Sequence, residues 1–562
     1  MAGRKKRKGE VLANASAQQF CSKWPRRTIL AFFLFLLIVV YLYRWATHPP
    51  AVKQAEGQVK RDRLRYAMGE TLAFSEPALA QTTENALWLA QVCEGLVRFH
   101  ADSVEVEPAL AESYSVSPDG KEWTFRLRQN VQFHDGTLLD ASAVRFGFMR
   151  LVDPNHPYHL PAALPVARAI FGDERTPHSC YLRDIRTPDD HTVVLVFSQP
   201  DAGLLRRLAR VEAALNSPRA VQTAAAEGQT TVVGTGPMRV KFIRQGFSVT
   251  LERNEAYWGK LASIRELEFR SVPETNDRER ALREGQCDIA QRFPPARSWE
   301  LRQTKNLKVY DGPAMHQCVL WLNLNSAPLN EVAVRSAIAV ALDRKAATDS
   351  MLRRFATPAY SFFPVSVGDG PTTEVLPRGA ERARAKLLLE QVGFNEGFTL
   401  KLLTPSEEKI WNPVGKALGV WLADQLRDLK INLVCETLPT DEVRRRIMAG
   451  DFQAALWGLA TPAGDAVDFV RQLMPLAEVS GAARLLSQPP AAELLGDATR
   501  AATALDRQSA MTRLNAWLAK NLPWVPLFQA HQAIVCRREI GGFILNPLGQ
   551  HRLWELWWDI RR

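Results

Sequence analysis

His134 and Asp135 set an imidazole beside a carboxylate, the pairing a general acid or base would use, but no third partner accompanies them to supply a nucleophile or orient the ring. GTGP at 234–237 is glycine-rich, yet no GK[ST] and no helix start follow it, so it reads as a turn and not a phosphate cradle. The aromatic run LWELWW (553–558) could stack on a sugar, or could pack three tryptophans into a core from a terminal strand. Seven cysteines (21, 93, 180, 287, 318, 435 and 536) form no CxxC and no Cys/His spacing for a metal. No nucleophile, metal centre or acid/base constellation emerges. The chain is therefore expected to be no enzyme, with no catalytic residues, no metal and no cofactor.

The elements around these groups point to a large body outside the cytoplasm. At 562 residues, 46% hydrophobic and 23% charged, the chain is globular and long enough for two or more lobes. Its net charge of +11 is unevenly placed: residues 1–27 carry eight basic side chains against Glu10, which is seven of the eleven charges. The rest has no basic run interleaved with aromatics, which excludes a nucleic-acid surface. Thr28 to Tyr43 is free of charge, and extended to Thr47 it reaches the roughly 20 residues a bilayer core needs. Trp24, Tyr41, Tyr43 and Trp45 flank it where interfacial aromatics belong, and the basic tail places the N-terminus in the cytoplasm. A cleaved signal peptide is the competing reading. Against it stand the 27-residue leader, the absence of a small-x-small site in RWATHPP, and the lack of a lipid-acceptor cysteine after the apolar run. Residues 48–62 read as a polar linker. Cys21 would face the cytoplasm, leaving six cysteines for up to three disulfides or, as for Cys287 and Cys318, for use as small buried hydrophobes.

Beyond the linker, strand and helix signals alternate. EWTFRLR (122–128), TVVLVF (192–197), FSVTLER (247–253) and TLKLL (399–403) have strand composition; RERALREG (278–285), EVAVRSAIAVALDR (331–344), ARAKLLLEQVG (383–393) and GVWLADQLRDL (419–429) have helical spacing. The fold class is mixed α/β without an internal repeat.

GTGPMRVKFIRQGFSVTLERNEAYWG (234–259) resembles a signature of the extracytoplasmic solute-binding proteins of ABC importers, family 5, the peptide/nickel/opine group. Further blocks follow in family order: LAESYSVSPDGKEWTFRLRQNVQFHDGTLLDASAVRFGFMRLVDPN (110–155), VPETNDRERALREGQCDIA (272–290), WLNLNSAPLNEVAVRSAIAVALDRKA (321–346) and LPWVPLFQA (522–530). The resemblance implies a two-lobed periplasmic-binding-protein-like fold with an extra subdomain. Lobe I would comprise about 63–270 and 530–562, with the subdomain at about 100–188, and lobe II about 271–529. In that family the His134-Asp135-Gly136 segment is a surface turn.

The same resemblance implies the site. Peptide binders of the family carry a pattern like GxFDxxxxGWxADYxDPxxF, whose tryptophan packs on ligand and whose first aspartate pairs with an α-ammonium. Here the segment is GDFQAALWGLATPAGDAVDFV (450–470), which places Gly458 on the glycine, Leu459 on the tryptophan and Pro462 on the aspartate. Asp465 could substitute for the missing carboxylate and Trp457 could still line the cleft, or pack in the core of lobe II. Tyr158 matches a ligand-bonding tyrosine, Gln81 and Thr83 fall in a peptide-contacting loop, and Gly458 could offer backbone from the facing lobe. With proline in place of the anchor, the ligand's ammonium is expected to contribute little. The implied function is a membrane-tethered, monomeric binding component that delivers a peptide-like solute to ABC permease subunits. A sensor or chaperone-like receptor of the same fold, or a binder of a non-peptide solute, are the alternatives.

Overall fold

The computed structural model describes residues 62–80, 82–172, 181–501 and 503–559. The basic tail, the expected span at 28–47, nearly all of the linker, Gln81, Cys21 and Cys180 lie outside them. Among the described residues no helix is long and apolar enough to cross a membrane.

The strand Trp524–Arg537 organises the body. Its first half pairs with His316–Leu322 and Ala356–Pro358, its second with Leu307–Pro313 and Ile289–Gln291, so it belongs to both halves of one twelve-stranded sheet. Fourteen residues at about 3.3 Å each give it the reach to do so. Pro526, which cannot donate to a ladder, sits beside the register shift facing Cys318 and Val319, where pairing is already broken.

In lobe I, Arg63–Met68 lies between two parallel partners, Glu266–Ser271 and Ile289–Gln291, and Ser248–Arg253 and Met238–Arg244 complete the edge. Leu64, Tyr66, Ala67 and Met68 are all buried, as a strand covered on both faces requires. The helices Thr275–Arg283 and Pro295–Arg302 pack on this sheet through Leu282 and Leu301. The chain thus stays with the first sheet through Pro313, past the boundary expected at 270. The pairing strand Ile289–Gln291 is three residues long, too short for periodicity to reveal.

Lobe II sets Phe398–Pro405 between the parallel strands Ile431–Leu438 and Ala454–Ala460, with His316–Leu322 antiparallel beyond. Its core gathers Trp321 and Trp524, stacked at 5.5 Å, with Phe362 edge-on to the latter. The subdomain is a four-stranded antiparallel sheet, Ala111–Val116, Glu122–Leu127, Thr192–Phe197 and Leu182–Asp189 in sequence-shifted order. Trp123, Phe125 and Leu127 alternate inward, as do Val193, Leu195 and Phe197, and the helices Ala141–Val152 and Leu164–Phe171 cover them. This sheet runs to Phe197, somewhat beyond the expected 188.

The signature at 234–259 closes on one buried acid. Thr235 Oγ1 and Trp258 Nε1 donate to Glu94 Oε2 at 2.9 and 2.8 Å, and Tyr257 Oη donates to Oε1 at 2.8 Å. Gly234 and Gly236 are glycines because a Cβ there would fall 2.0 and 2.7 Å from the Val92 carbonyl oxygen. His134 Nε2 meets the Gly236 carbonyl at 2.9 Å, and Asp135 accepts from Ser217 Oγ at 2.6 Å and from Thr137, so this pair is a structural turn. In the tail, Leu553 and Leu556 are buried and Trp554 and Trp558 pack on lobe I, while Trp557 is exposed. The five described cysteines are free thiols, four of them buried.

Candidate functional site

A cavity of about 690 Å³ opens between the lobes. From lobe I, the end of Arg63–Met68 delivers Glu70, the helix Thr83–Leu89 delivers Thr83 and Glu84, and the end of Ile289–Gln291 delivers Gln291 and Arg292. From lobe II come His316, Trp411 and Pro462, and from the shared strand His531 to Ile534. Binding from both sides of such a cleft favours the arrangement in which the lobes approach.

The lobe I wall is charged. Arg292, in the left-handed region at φ +61°, turns its guanidinium onto two carboxylates. It donates to both Glu84 oxygens, 2.8 Å to Oε2, and to Glu70 Oε1 at 2.7 Å. Gln291 adds a donor to Glu84 at 3.2 Å and accepts from Tyr66 Oη at 3.0 Å. Glu84 is 1% exposed. Burial pushes its carboxyl up to about 7, with Arg292 opposing and the nearby Glu70 charge adding to the rise. The second Glu70 oxygen is buried and has no hydrogen-bond donor among the described residues. Arg278 is held on backbone, donating to the carbonyls of Val272, Gln291 and Arg292 at 2.7, 3.0 and 2.7 Å and to that of Pro273.

Facing this, His316 is 8% exposed with Nε2 unpartnered, and burial pushes its imidazole down to about 4, so it is neutral at physiological pH. His531 spans the two halves of the sheet: Nδ1 meets Asp311 at 3.0 Å and Nε2 meets Thr357 at 2.9 Å.

The residues expected from the sequence divide. Thr83 lines the cavity, and Gln81 lies outside the described residues. Gly458 lies beneath Trp411, whose ring stands where a Cβ on residue 458 would be, 2.2 Å from Cγ. Trp411 faces the cavity; Trp457, 6.1 Å from it between ring centroids, packs against the lobe II core. Tyr158 sits in the subdomain, its ring 5.7 Å from Phe146 and its carbonyl accepting from Arg150 at 3.3 Å, away from the cavity lining.

Asp465 is also elsewhere. It is fully buried, caps the helix Ala466–Ser480 by accepting from Asp468 N at 2.8 Å, and receives Arg507 Nη2 at 2.6 Å on both oxygens. Burial alone would raise this carboxyl, but Arg507 and Arg207 hold it below its ordinary value. Around it Arg206 pairs with Asp369 and Arg207 with Asp201 at 2.6 Å, and Arg507 lies 3.9 Å from Asp201. The Arg206–Asp369 and Arg507–Asp201 contacts join the segment at the helix Leu204–Leu208 of lobe I to lobe II. The sequence pattern missed Glu70, Glu84, Arg292, His316 and Trp411. Only Trp411 had a signal, an aromatic in a polar, proline-containing stretch.

A cleft between two lobes that share a strand, lined from both, has the geometry of a ligand-binding site. The description of the bacterial extracellular solute-binding proteins, family 5, matches residues 105–478, and the chain belongs to this family. It is 27% identical over 472 residues to a probable di/tripeptide-binding protein 5 of Pseudomonas aeruginosa, covering 81% of this chain and 88% of the relative. It is 25% identical to the dipeptide-binding protein of Escherichia coli, covering 81% and 87%. Among solved structures, HbpA2 from Haemophilus parasuis superposes with a TM-score of 0.79 at 23% identity, over 88% of this chain and 99% of that one. DppA from Helicobacter pylori, in complex with the peptide STSA, gives 0.72 at 22% identity over 88% and 98%.

Proposed function

We propose that this protein is the extracytoplasmic binding component of an ABC importer, that it captures a peptide or peptide-like solute between its lobes, and that its N-terminal segment tethers it to the membrane. The observation that carries the reading is the cavity itself. Its volume of about 690 Å³ lies within the roughly 300–1,000 Å³ of small-ligand sites, and it takes lining from both lobes and from the strand that joins them. The peptide-binding relatives supply the ligand class. No covalent step is involved: ligand touching both walls favours the closed arrangement, which a permease can then recognise.

Small-angle scattering of the full chain in detergent, with and without a mixed dipeptide library, tests capture. The radius of gyration should fall on addition; an unchanged value at saturating library concentration counts against closure on peptides. For the tether, a reporter fused after residue 562 should be active only outside the cytoplasm, with the N-terminus retained. A mature N-terminus between residues 45 and 60 would restore a cleaved signal peptide.

A further inference from the structure

The lobe II loop that would anchor a peptide's ammonium has nothing to offer one: Pro462 lines the cavity and Asp465 is closed on Arg507. Four carboxylates line the cavity, Glu70, Glu84, Glu212 and Glu408. Glu84 has both oxygens on Arg292 and a further donor from Gln291. Glu212 is paired with Arg210 at 2.6 Å. Glu408 is exposed, where water competes for it. Of these four, Glu70 combines cavity lining with a buried oxygen that has no hydrogen-bond donor among the described residues. The Arg292 guanidinium serves both Glu70 and Glu84 and satisfies Glu84 more fully, and the Arg278 guanidinium on the same wall balances charge but spends its donors on backbone carbonyls and Thr275, so a Glu70 oxygen is left over as a hydrogen-bond acceptor. A buried carboxylate oxygen without a donor costs free energy that an incoming donor relieves.

An independent observation across the cleft asks for the same chemistry. His316 is over nine-tenths buried and neutral, its other ring nitrogen faces the Ile410 backbone carbonyl, and Nε2 is left as a bare acceptor in the cavity lining. Both lobes therefore present an unfilled acceptor, and a ligand that bridges them must carry N–H donors at two places.

We propose that Glu70, on lobe I, receives the ligand's ammonium, and that His316 Nε2, on lobe II, receives a second N–H of the same ligand. The ammonium anchor has in effect moved from one lobe to the other. This rests on the reading of the protein as a peptide binder and reverses the expectation that the ammonium is ignored.

The test uses the full chain in detergent, calorimetric titration, and two probes, an equimolar library of free dipeptides and the same library N-acetylated. Wild type should bind the free library at least about tenfold more tightly, the scale of one charge-assisted hydrogen bond. Glu70→Gln should lose that preference while binding the acetylated library as wild type does, which also shows that the variant is folded. Glu390→Gln, an exposed carboxylate outside the cavity lining, should behave as wild type. Equal affinity of wild type for both libraries, or a preference that survives in Glu70→Gln, overturns the assignment while leaving peptide capture standing. Failure of wild type to bind either library overturns peptide capture, and the Glu70 role falls with it. Should Glu70→Gln fail to fold, His316→Phe in the same titrations keeps the question open to refutation: it should weaken both libraries, and unchanged binding of both contradicts the two-acceptor cleft.

Discussion

Glu94 and Glu70 are both acids of lobe I, yet their surroundings differ in what they leave unfilled. Glu94 is buried, which raises its carboxyl, and three donors, Thr235, Tyr257 and Trp258, counter that rise only in part. Nothing remains for a ligand to add, and the group holds the signature turn against the helix–loop segment around Val92. Glu70 shares its one guanidinium with Glu84, lies within hydrogen-bond reach of the Glu84 carboxyl, and keeps an oxygen in the cavity wall with no donor among the described residues. A saturated acid serves the fold; an unsaturated one at a cleft is available to a ligand. Asp465 belongs with Glu94, since its oxygens are occupied by Arg507 and by the helix it caps.

The sharpest way to break this division is at Asp465. Asp465→Ala should strand the buried Arg507 charge and cost about 3–5 kcal/mol in denaturant unfolding. A loss below 1 kcal/mol together with a large loss of peptide affinity would place Asp465 with the ligand instead. Glu94→Ala comes next, leaving three buried donors unpaired and costing about 2–4 kcal/mol by the same measurement. By contrast Glu70→Gln should shift unfolding by less than about 1 kcal/mol, because its side chain is part-exposed and Arg292 retains Glu84.

A smaller effect is expected from pH. Burial raises the Glu84 carboxyl to about 7, and a bound ammonium beside it would favour the ionised form. Binding should therefore release protons, and affinity for free dipeptides should decline as pH falls through about 7, where a protonated Glu84 also yields Arg292 to Glu70. Calorimetry in buffers of different ionisation enthalpy reads this directly. The same shift makes a stability prediction: the folded carboxyl is raised above its ordinary 4.5, so its contribution is fullest below that value and is lost as pH rises to about 7. Glu84→Gln should flatten that slope.

How much of this was legible in the sequence follows from the same contrast. The signature around Glu94 is a local run of glycines, threonine and aromatics whose order is dictated by close backbone packing, so its types and spacing announce the family and the fold. The strand composition of Glu122–Leu127 and Thr192–Phe197 was readable for the same reason, since one covered face imposes alternation. The cavity is built otherwise. Glu70 lies just after a strand, Glu84 in the first turn of a helix and Arg292 after a three-residue strand, and they meet only because the parallel pairing of Arg63–Met68 with Ile289–Gln291 aligns their ends. Nothing in the local sequence of any of the three marks that meeting. The family pattern sets Pro462 where an aspartate is expected and points to a substitute nearby in the chain. Tertiary pairing closes Asp465 on Arg507, while on the opposite lobe a Glu70 oxygen in the cavity lining has no donor among the described residues.

The most direct measurement is native mass spectrometry of the full chain as purified, in the wild type and in Glu70→Gln. The account predicts that wild type carries small peptides with free amines, which exchange for added dipeptide, and that Glu70→Gln arrives largely empty or with blocked peptides. Recovery of the same free-amine peptides on both proteins, or of an amine-free solute on the wild type, would contradict it.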